Sequence, residues 1–278
     1  MKTEVLKGKP VADEVRERVR QKMDEKKENK RPFGLAVLRV GNDESDLSYE
    51  RSLKKNCDKL GIPMKSCALN ETATTADVVR ELERLNEDPE TTGILVFRPL
   101  PKQIDSAQVR LAILPEKDVD AMHPLSLAKI MEGDLSAHLP ATPAAVRAFL
   151  HHYEIYVRGK TIAIVNRSLV FGRPLAMILL EDDACPQILH SKTEDLRGVL
   201  KRSDIVVLAT GRAKMFDRSY FTNESIVLDV GVSVDENGVL CGDADFEALD
   251  GYVKMITPPK GGIGSATTAL LLEQVVGK

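Results

Sequence analysis

No apolar run in this 278-residue chain approaches the roughly 20 residues that a membrane span needs. The N-terminal stretch MKTEVLKGKPVADEVRERVRQKM lacks the apolar core that marks a secretory signal. Cysteine is scarce. Cys57, Cys67, Cys185 and Cys241 stand far apart, with no C-x-x-C pair and no metal-ligand spacing. Reduced thiols, a cytoplasmic protein and no metal site are therefore expected. Charge of one sign is lacking too: 39 lysines and arginines against 42 acidic residues leave a formal charge of −3. That near-balance argues against nucleic acid or a membrane surface as a partner. Internal repeats and low-complexity tracts are missing as well.

What is present is ordinary in amount and informative in order. With 43% hydrophobic and 29% charged residues the composition suits a soluble globular protein. A chain this long is expected to build two modest cores rather than one. Strand patterns occur at Phe33–Val40, Met64–Leu69, Gly93–Phe97, Thr161–Val165, Gln187–His190, Asp204–Thr210, Ser225–Val230 and Tyr252–Thr257. Helical patterns lie between most of them. Val78, Val79, Leu82 and Leu85 form one stripe within Ala76–Asn86, and Val11, Val15, Val19 and Met23 recur every four residues near the start. Such alternation predicts an α/β fold with parallel sheets covered by helices on both faces. The boundary falls between Asp118 and Gly159, where Pro124, Gly133, Pro140 and Pro143 cluster and a helix is expected to start with Thr142 as N-cap. Residues 1–141 are assigned to an N-terminal α/β lobe and 142–264 to a Rossmann-like dinucleotide-binding lobe. The apolar helix over 265–278 is expected to return to the first lobe.

One further absence concerns KTIAIVNRSLVFGRPLAMILL, residues 160–180. A strand runs through a polar turn into a helix starting near Pro174, yet the glycine-rich fingerprint of dinucleotide-binding turns is missing. Only Gly172 remains. Asn166 tolerates left-handed backbone better than other non-glycine residues, so it is expected to replace a turn glycine. Arg167 and Ser168 offer a cation and a hydroxyl where a phosphate would lie. An ordinary βα loop with a solvated arginine fits the same residues. The next strand ends in His190-Ser191-Lys192, with no acid to bind a ribose 2′-hydroxyl. A bound dinucleotide would therefore be NADP, with Arg167 and Ser191 at its 2′-phosphate. Ser191 and Thr193 would equally serve as caps for the helix in TEDLRGVL.

Seven short segments then fall in order: Val40-Gly41-Asn42-Asp43 through Tyr49, Pro99-Leu100-Pro101, Lys117-Asp118-Val119-Asp120, Arg167-Ser168 with Gly172-Arg173-Pro174, His190 to Thr193, Asp229 to Gly231, and Thr257-Pro258 with Gly261 to Gly264. At this spacing the chain resembles the bifunctional methylenetetrahydrofolate dehydrogenase/cyclohydrolase family along nearly its whole length. The resemblance implies two lobes with a cleft between them, a homodimer, NADP on the second lobe and a tetrahydrofolate derivative in the cleft. The implied activity is oxidation of 5,10-methylenetetrahydrofolate to 5,10-methenyltetrahydrofolate in one-carbon metabolism. Tyr49 and Asp120 are the implied catalytic positions, the first stacked beside the pterin and the second bonded to its amino-pyrimidine edge. Pro258, Gly261 and Gly262 are implied as further substrate contacts. Asn166, Arg167, Ser168, Ser191, Thr210, Gly211, Val232 and Thr267 are implied as cofactor contacts. Outside the family context, Tyr49 reads as a half-buried helix residue and Asp120 as a loop cap.

Departures from the family pattern matter as much as matches. The family's lysine one helical turn beyond the tyrosine is Leu53 here, and the glutamine of V-Q-L-P-L-P is Phe97 in VFRPLP. Lys54 and Lys55 point elsewhere around the helix. Hydride transfer depends mainly on proximity and orientation, whereas hydrolysis of the methenyl ring leans on an acid/base group. The cyclohydrolase step to 10-formyltetrahydrofolate is therefore the doubtful one. Lys260 is a new cation in TPPKGGIGSAT, either a solvated loop charge, a proton donor or a contact for an acidic substrate. Ala121 replaces the glycine of K-D-V-D-G, and Ala141 replaces a cysteine. The alternatives are a non-catalytic nucleotide- or folate-binding paralogue, or a dehydrogenase for another substrate.

Overall fold

The computed structural model describes residues 2–277. Along the chain, β1 (Glu4–Val5) and α1 (Gly8–Glu28) precede β2 (Leu35–Val40), α2 (Glu44–Leu60), β3 (Met64–Leu69), α3 (Thr75–Glu87) and β4 (Gly93–Val96). Helices α4 (Ser106–Ala112), α5 (Pro124–Met131) and α6 (Ala141–His152) follow. Then come β5 (Thr161–Val165), α7 (Gly172–Leu180), β6 (Cys185–Leu189), α8 (Leu196–Arg202), β7 (Ile205–Leu208) and β8 (Ile226–Asp229). The hairpin of β9 (Ser233–Val234) and β10 (Leu240–Cys241) leads to α9 (Phe246–Leu249), β11 (Met255–Ile256) and α10 (Gly264–Val276). The chain divides into two compact units. Residues 14–141 join the segment from Thr268 onward, and residues 142–267 join the segment up to Asp13.

The N-terminal unit is built on a three-stranded parallel sheet in the order β3-β2-β4. The central strand, β2, is buried at every position. Its one charged residue, Arg39, is 9% exposed and pairs with Glu50 at 2.6 Å. A buried guanidinium without that carboxylate would be costly. Helix α3 starts at a reciprocal capping box between Thr74 and Asp77, which satisfies its first free backbone donors. It turns Val78, Leu82 and Leu85 onto Leu38 and Ile94 of the sheet, as the apolar stripe predicts. The end of α10 packs here too. Thr92 Oγ1 donates to the Val275 carbonyl at 2.8 Å, and Gln274 Nε2 donates to the carbonyls of Val119 and Leu139, both at 2.8 Å. The C-terminal helix thus returns to the first unit.

The C-terminal unit carries a six-stranded parallel sheet in the order β1-β11-β8-β7-β5-β6. From β5 the chain passes through α7 to β6 on one side, then crosses to β7 on the other. The reversal opens a crevice at the carboxyl ends of β5 and β7, where α/β sheets bind ligands. Strand β1 corrects the sequence-based boundary. The sequence pattern puts residues up to Asp13 in the first lobe, yet Glu4 and Val5 pair with Met255 and Ile256. Thr3 Oγ1 also donates to the Val253 carbonyl at 2.6 Å. A two-residue strand is too short to leave a periodic pattern.

Local starts differ as well. Helix α6 begins at Ala141, so Thr142 lies inside its first turn and is not the N-cap. Asp195, not Ser191 or Thr193, caps α8 by accepting from Gly198 N at 3.0 Å. Thr193 Oγ1 instead accepts from His190 N at 3.0 Å.

Candidate cofactor and substrate sites

Asn166 builds the turn after β5, though not as the sequence suggests. Its φ is not positive, so it does not stand in for glycine through left-handed backbone. Its side chain does the work. Oδ1 accepts from Ser168 N and Ser168 Oγ at 2.8 Å and from Gly172 N at 3.2 Å, while Nδ2 donates to the Ala209 carbonyl at 2.7 Å. One amide therefore holds the turn, the start of α7 and the strand end opposite. Gly172 is required by close approach, because a Cβ there would lie 1.9 Å from the Asn166 carbonyl oxygen.

A cavity of about 220 Å³ opens at this turn, with Asn166, His190, Ser191, Thr210 and Arg212 as its polar lining and Leu196, Met215 and Phe216 among its apolar walls. Asn166, Ser191 and Thr210 of the expected cofactor contacts meet here. Arg167, Gly211 and Val232 are exposed and do not line it. Ser168 spends its hydroxyl on Asn166, and Thr267 Oγ1 donates to the Gly264 carbonyl at 2.9 Å. Arg212 was not anticipated. Among the described residues Thr210 Oγ1 is buried without a hydrogen-bond partner, which costs about 1–3 kcal/mol unless a ligand group meets it. The polar lining, the helix start at Gly172 and this unpaired hydroxyl all suit a nucleotide.

Two buried carboxylates fix the loop that lines the cavity and the loops next to it. Asp243 accepts from Thr210 N and, at 2.8 Å, from Arg212 N. Asp229 accepts from Gly231 N at 2.9 Å and from Ala244 N at 2.8 Å. Burial, followed by the neighbouring Asp243 charge, pushes the Asp229 carboxyl up to about 7. The D-V-G motif marks Asp229, but nothing in the sequence pairs it with Asp243. In the same unit, Gly8 N donates to the Gly261 carbonyl at 2.7 Å. Gly262 has no room for a side chain, since a Cβ would stand 2.3 Å from the Pro258 carbonyl oxygen.

In the N-terminal unit, Tyr49 on α2 keeps 40% of its surface exposed. Its ring packs on Phe97 with centroids 5.3 Å apart and planes tilted by 36°. Burial, then the negative charge of Asp120, pushes the Tyr49 phenol up to about 12, so it stays a neutral hydrogen-bond donor at physiological pH. Leu53, one turn along, is 0% exposed and belongs to the core. Lys54 pairs with Asp58. Both Lys54 and Lys55 line a different groove of about 810 Å³ with Arg39, Glu50 and Ser66, and Tyr49, Phe97 and Asp120 do not reach it. Lys260 is exposed in its loop. Asp120 is not a simple loop cap: one oxygen meets Arg98, the other accepts from Ala141 N at 3.3 Å. Ala121 beside it takes a φ of +49°, a left-handed conformation that the glycine of K-D-V-D-G would adopt freely.

A parallel sheet with a polar crevice at its switch point is the architecture of a dinucleotide-binding protein. Comparison with known proteins narrows that class. Residues 6–120 match the catalytic domain, and residues 140–278 the NAD(P)-binding domain, of tetrahydrofolate dehydrogenase/cyclohydrolase. The chain belongs to this family. It is 47% identical over 274 residues to a bifunctional protein FolD of Clostridium botulinum, covering 99% of this chain and 97% of the relative. The crystal structure of the bifunctional enzyme FolD from Campylobacter jejuni superposes with a TM-score of 0.95 at 34% identity, over 99% of this chain and 97% of that one. The FolD of Trypanosoma brucei, solved with NADP cofactor and an inhibitor, superposes with a TM-score of 0.91 at 28% identity, over 99% and 96%.

Proposed function

We propose that this protein is an NADP-dependent methylenetetrahydrofolate dehydrogenase in which the cyclohydrolase step is weak or absent. Family membership and the polar crevice support the first half. Bound NADP supplies the hydride acceptor. Asn166 fixes the turn at the start of α7, and Asp243 fixes the loop that presents Thr210 and Arg212. Arg167 and Ser191 are assigned to the 2′-phosphate. Tyr49 stacks on the pterin, Asp120 takes its amino-pyrimidine edge, and Pro258, Gly261 and Gly262 join the substrate contacts through the family motif. The substrate's methylene carbon gives up a hydrogen with its electron pair and becomes the methenyl cation. No protein proton transfer is needed for that step, so orientation by these residues is the main contribution.

The observation that carries the second half is the apolar pair Leu53 and Phe97. Attack of water on the methenyl carbon needs a group that exchanges protons, and neither a buried leucine nor a phenyl ring can do it. Lys54 and Lys55 face another groove. A homodimer is assigned by the family pattern, and the scarce, unpaired cysteines suit a cytoplasmic enzyme. Mixing protein, methylenetetrahydrofolate and either NADP or NAD tests the assignment. Reduced cofactor should form with the folate present and faster with NADP. A thermal shift with folate but no cofactor reduction would instead identify a binding paralogue.

A further inference from the structure

We propose that Arg98 is the positioning residue for Asp120, the carboxylate assigned to bind the substrate. The proposal rests on the assignment of Asp120 to the pterin. Arg98 stands two residues beyond the end of β4, where V-Q-L-P-L-P has a leucine, immediately after Phe97. Its Nη2 meets Asp120 Oδ2, and the side chains keep 29% and 25% of their surface exposed. The other carboxylate oxygen accepts from Ala141 N at 3.3 Å. Two donors on two oxygens leave one side-chain orientation for Asp120. A carboxylate has about four acceptor positions, so this arrangement still leaves room for the paired donors of an amino-pyrimidine. Arg98 is itself placed: Pro99 after it restricts its backbone to extended conformations, and Phe97 before it is fixed by the Tyr49 ring.

The chemistry of the new cation defines what it does. A guanidinium stays protonated at every working pH, so Arg98 does not replace the missing lysine as a proton shuttle. It holds a charge in place instead. Position 98 therefore acts on substrate binding and orientation, and leaves the hydrolytic step as it is. A leucine at position 98 would leave Asp120 with the backbone donor alone, free to turn toward water.

The test is a set of four variants, Arg98→Leu, Arg98→Lys, Asp120→Ala and the double variant Arg98→Leu/Asp120→Ala. Each is assayed for kcat and for KM with methylenetetrahydrofolate and with NADP. The folded state is checked by NADP binding. Arg98→Leu should raise the folate KM on the order of tenfold, the loss expected for one charge-assisted contact, with the NADP KM unchanged. Arg98→Lys should recover part of that loss. In the Asp120→Ala background, Arg98→Leu should add almost nothing, because it acts through Asp120. An unchanged or lower folate KM for Arg98→Leu, alongside a large effect of Asp120→Ala, would overturn the positioning role alone. If Asp120→Ala itself left the folate KM and turnover intact, the assignment of Asp120 to the pterin would fall, and the role of Arg98 with it.

Discussion

At position 166 a side chain performs the task that backbone freedom performs in glycine-rich turns. The sequence shows that asparagine stands there; only coordinates show that it works through three accepted hydrogen bonds and one donated. Arg98 was hidden for a related reason. Its neighbour Phe97 is a visible departure, but a contact across 22 positions has no local trace. Arg167 is exposed in the turn after β5 and does not line the crevice, so its proposed contact with the 2′-phosphate needs a direct test. Arg167→Ala should weaken NADP by about tenfold or more while changing NAD far less, since a charge-assisted contact contributes roughly 1.5–3 kcal/mol. Titration of both cofactors into the variant checks this. Equal losses would remove Arg167 from the 2′-phosphate, and a selective loss in Arg212→Ala would place it there instead. Ala121 gives a stability test. At φ +49° and 2% exposure, Ala121→Gly should stay within about 1 kcal/mol of the parent, because relief of strain offsets lost burial and added chain freedom. Ala121→Val should cost about 2 kcal/mol or more in urea unfolding, since a branched side chain resists left-handed backbone.

Elements with a sustained period were readable. Helix α3 with Val78, Leu82 and Leu85 of its stripe buried, though Val79 is only partly so, α1 with Val11, Val15, Val19 and Met23 all buried, and strands β3 and β5 fall where the pattern puts them. Elements defined by partners were not. Strand β1 and the β9–β10 hairpin are two residues per strand, and β6 starts two residues earlier than its apolar run because Cys185 and Pro186 pair with Thr161 and Ile162. Helix α2 carries the departure on which the proposed loss of hydrolysis rests. Leu53 is wholly buried, so Leu53→Lys alone should lower stability by several kcal/mol, the cost of an unpaired ammonium in the core. Urea unfolding reads that loss. Leu53→Lys with Phe97→Gln should be milder than the sum of the two, and should raise methenyl hydrolysis more than either change alone. Additive stability losses without any gain in hydrolysis would show that the two positions do not form a pair.

For the whole molecule, Asp229 links pH to stability. Its carboxyl is raised to about 7 in the folded protein, against about 3.9 in an unfolded chain. Between those values the native state binds the proton more tightly, so this group's contribution is greatest below pH 4 and is lost as pH rises to about 7. Carboxyls held low, such as Asp88 at about 2, are ionised throughout pH 5–8 and add no slope there. Urea midpoints should therefore decline from pH 5 to pH 8 in the parent, with a flatter profile for Asp229→Asn; parallel profiles would place the titration elsewhere. Sequence order alone made the two-lobe architecture and the family legible, through seven motifs at fitting spacing. It could not assign the first residues or reveal the Asp229–Asp243 pair, which exist only once distant loops meet. The proposed enzyme is a dehydrogenase that leaves its methenyl product largely unconsumed. The direct measurement follows NADPH and 5,10-methenyltetrahydrofolate together during turnover of methylenetetrahydrofolate by the unaltered protein. The two should rise in nearly equal amounts, with methenyl decaying no faster than it does without enzyme. NADPH rising while methenyl is removed at an enzyme-dependent rate would show that hydrolysis survives without the lysine and glutamine.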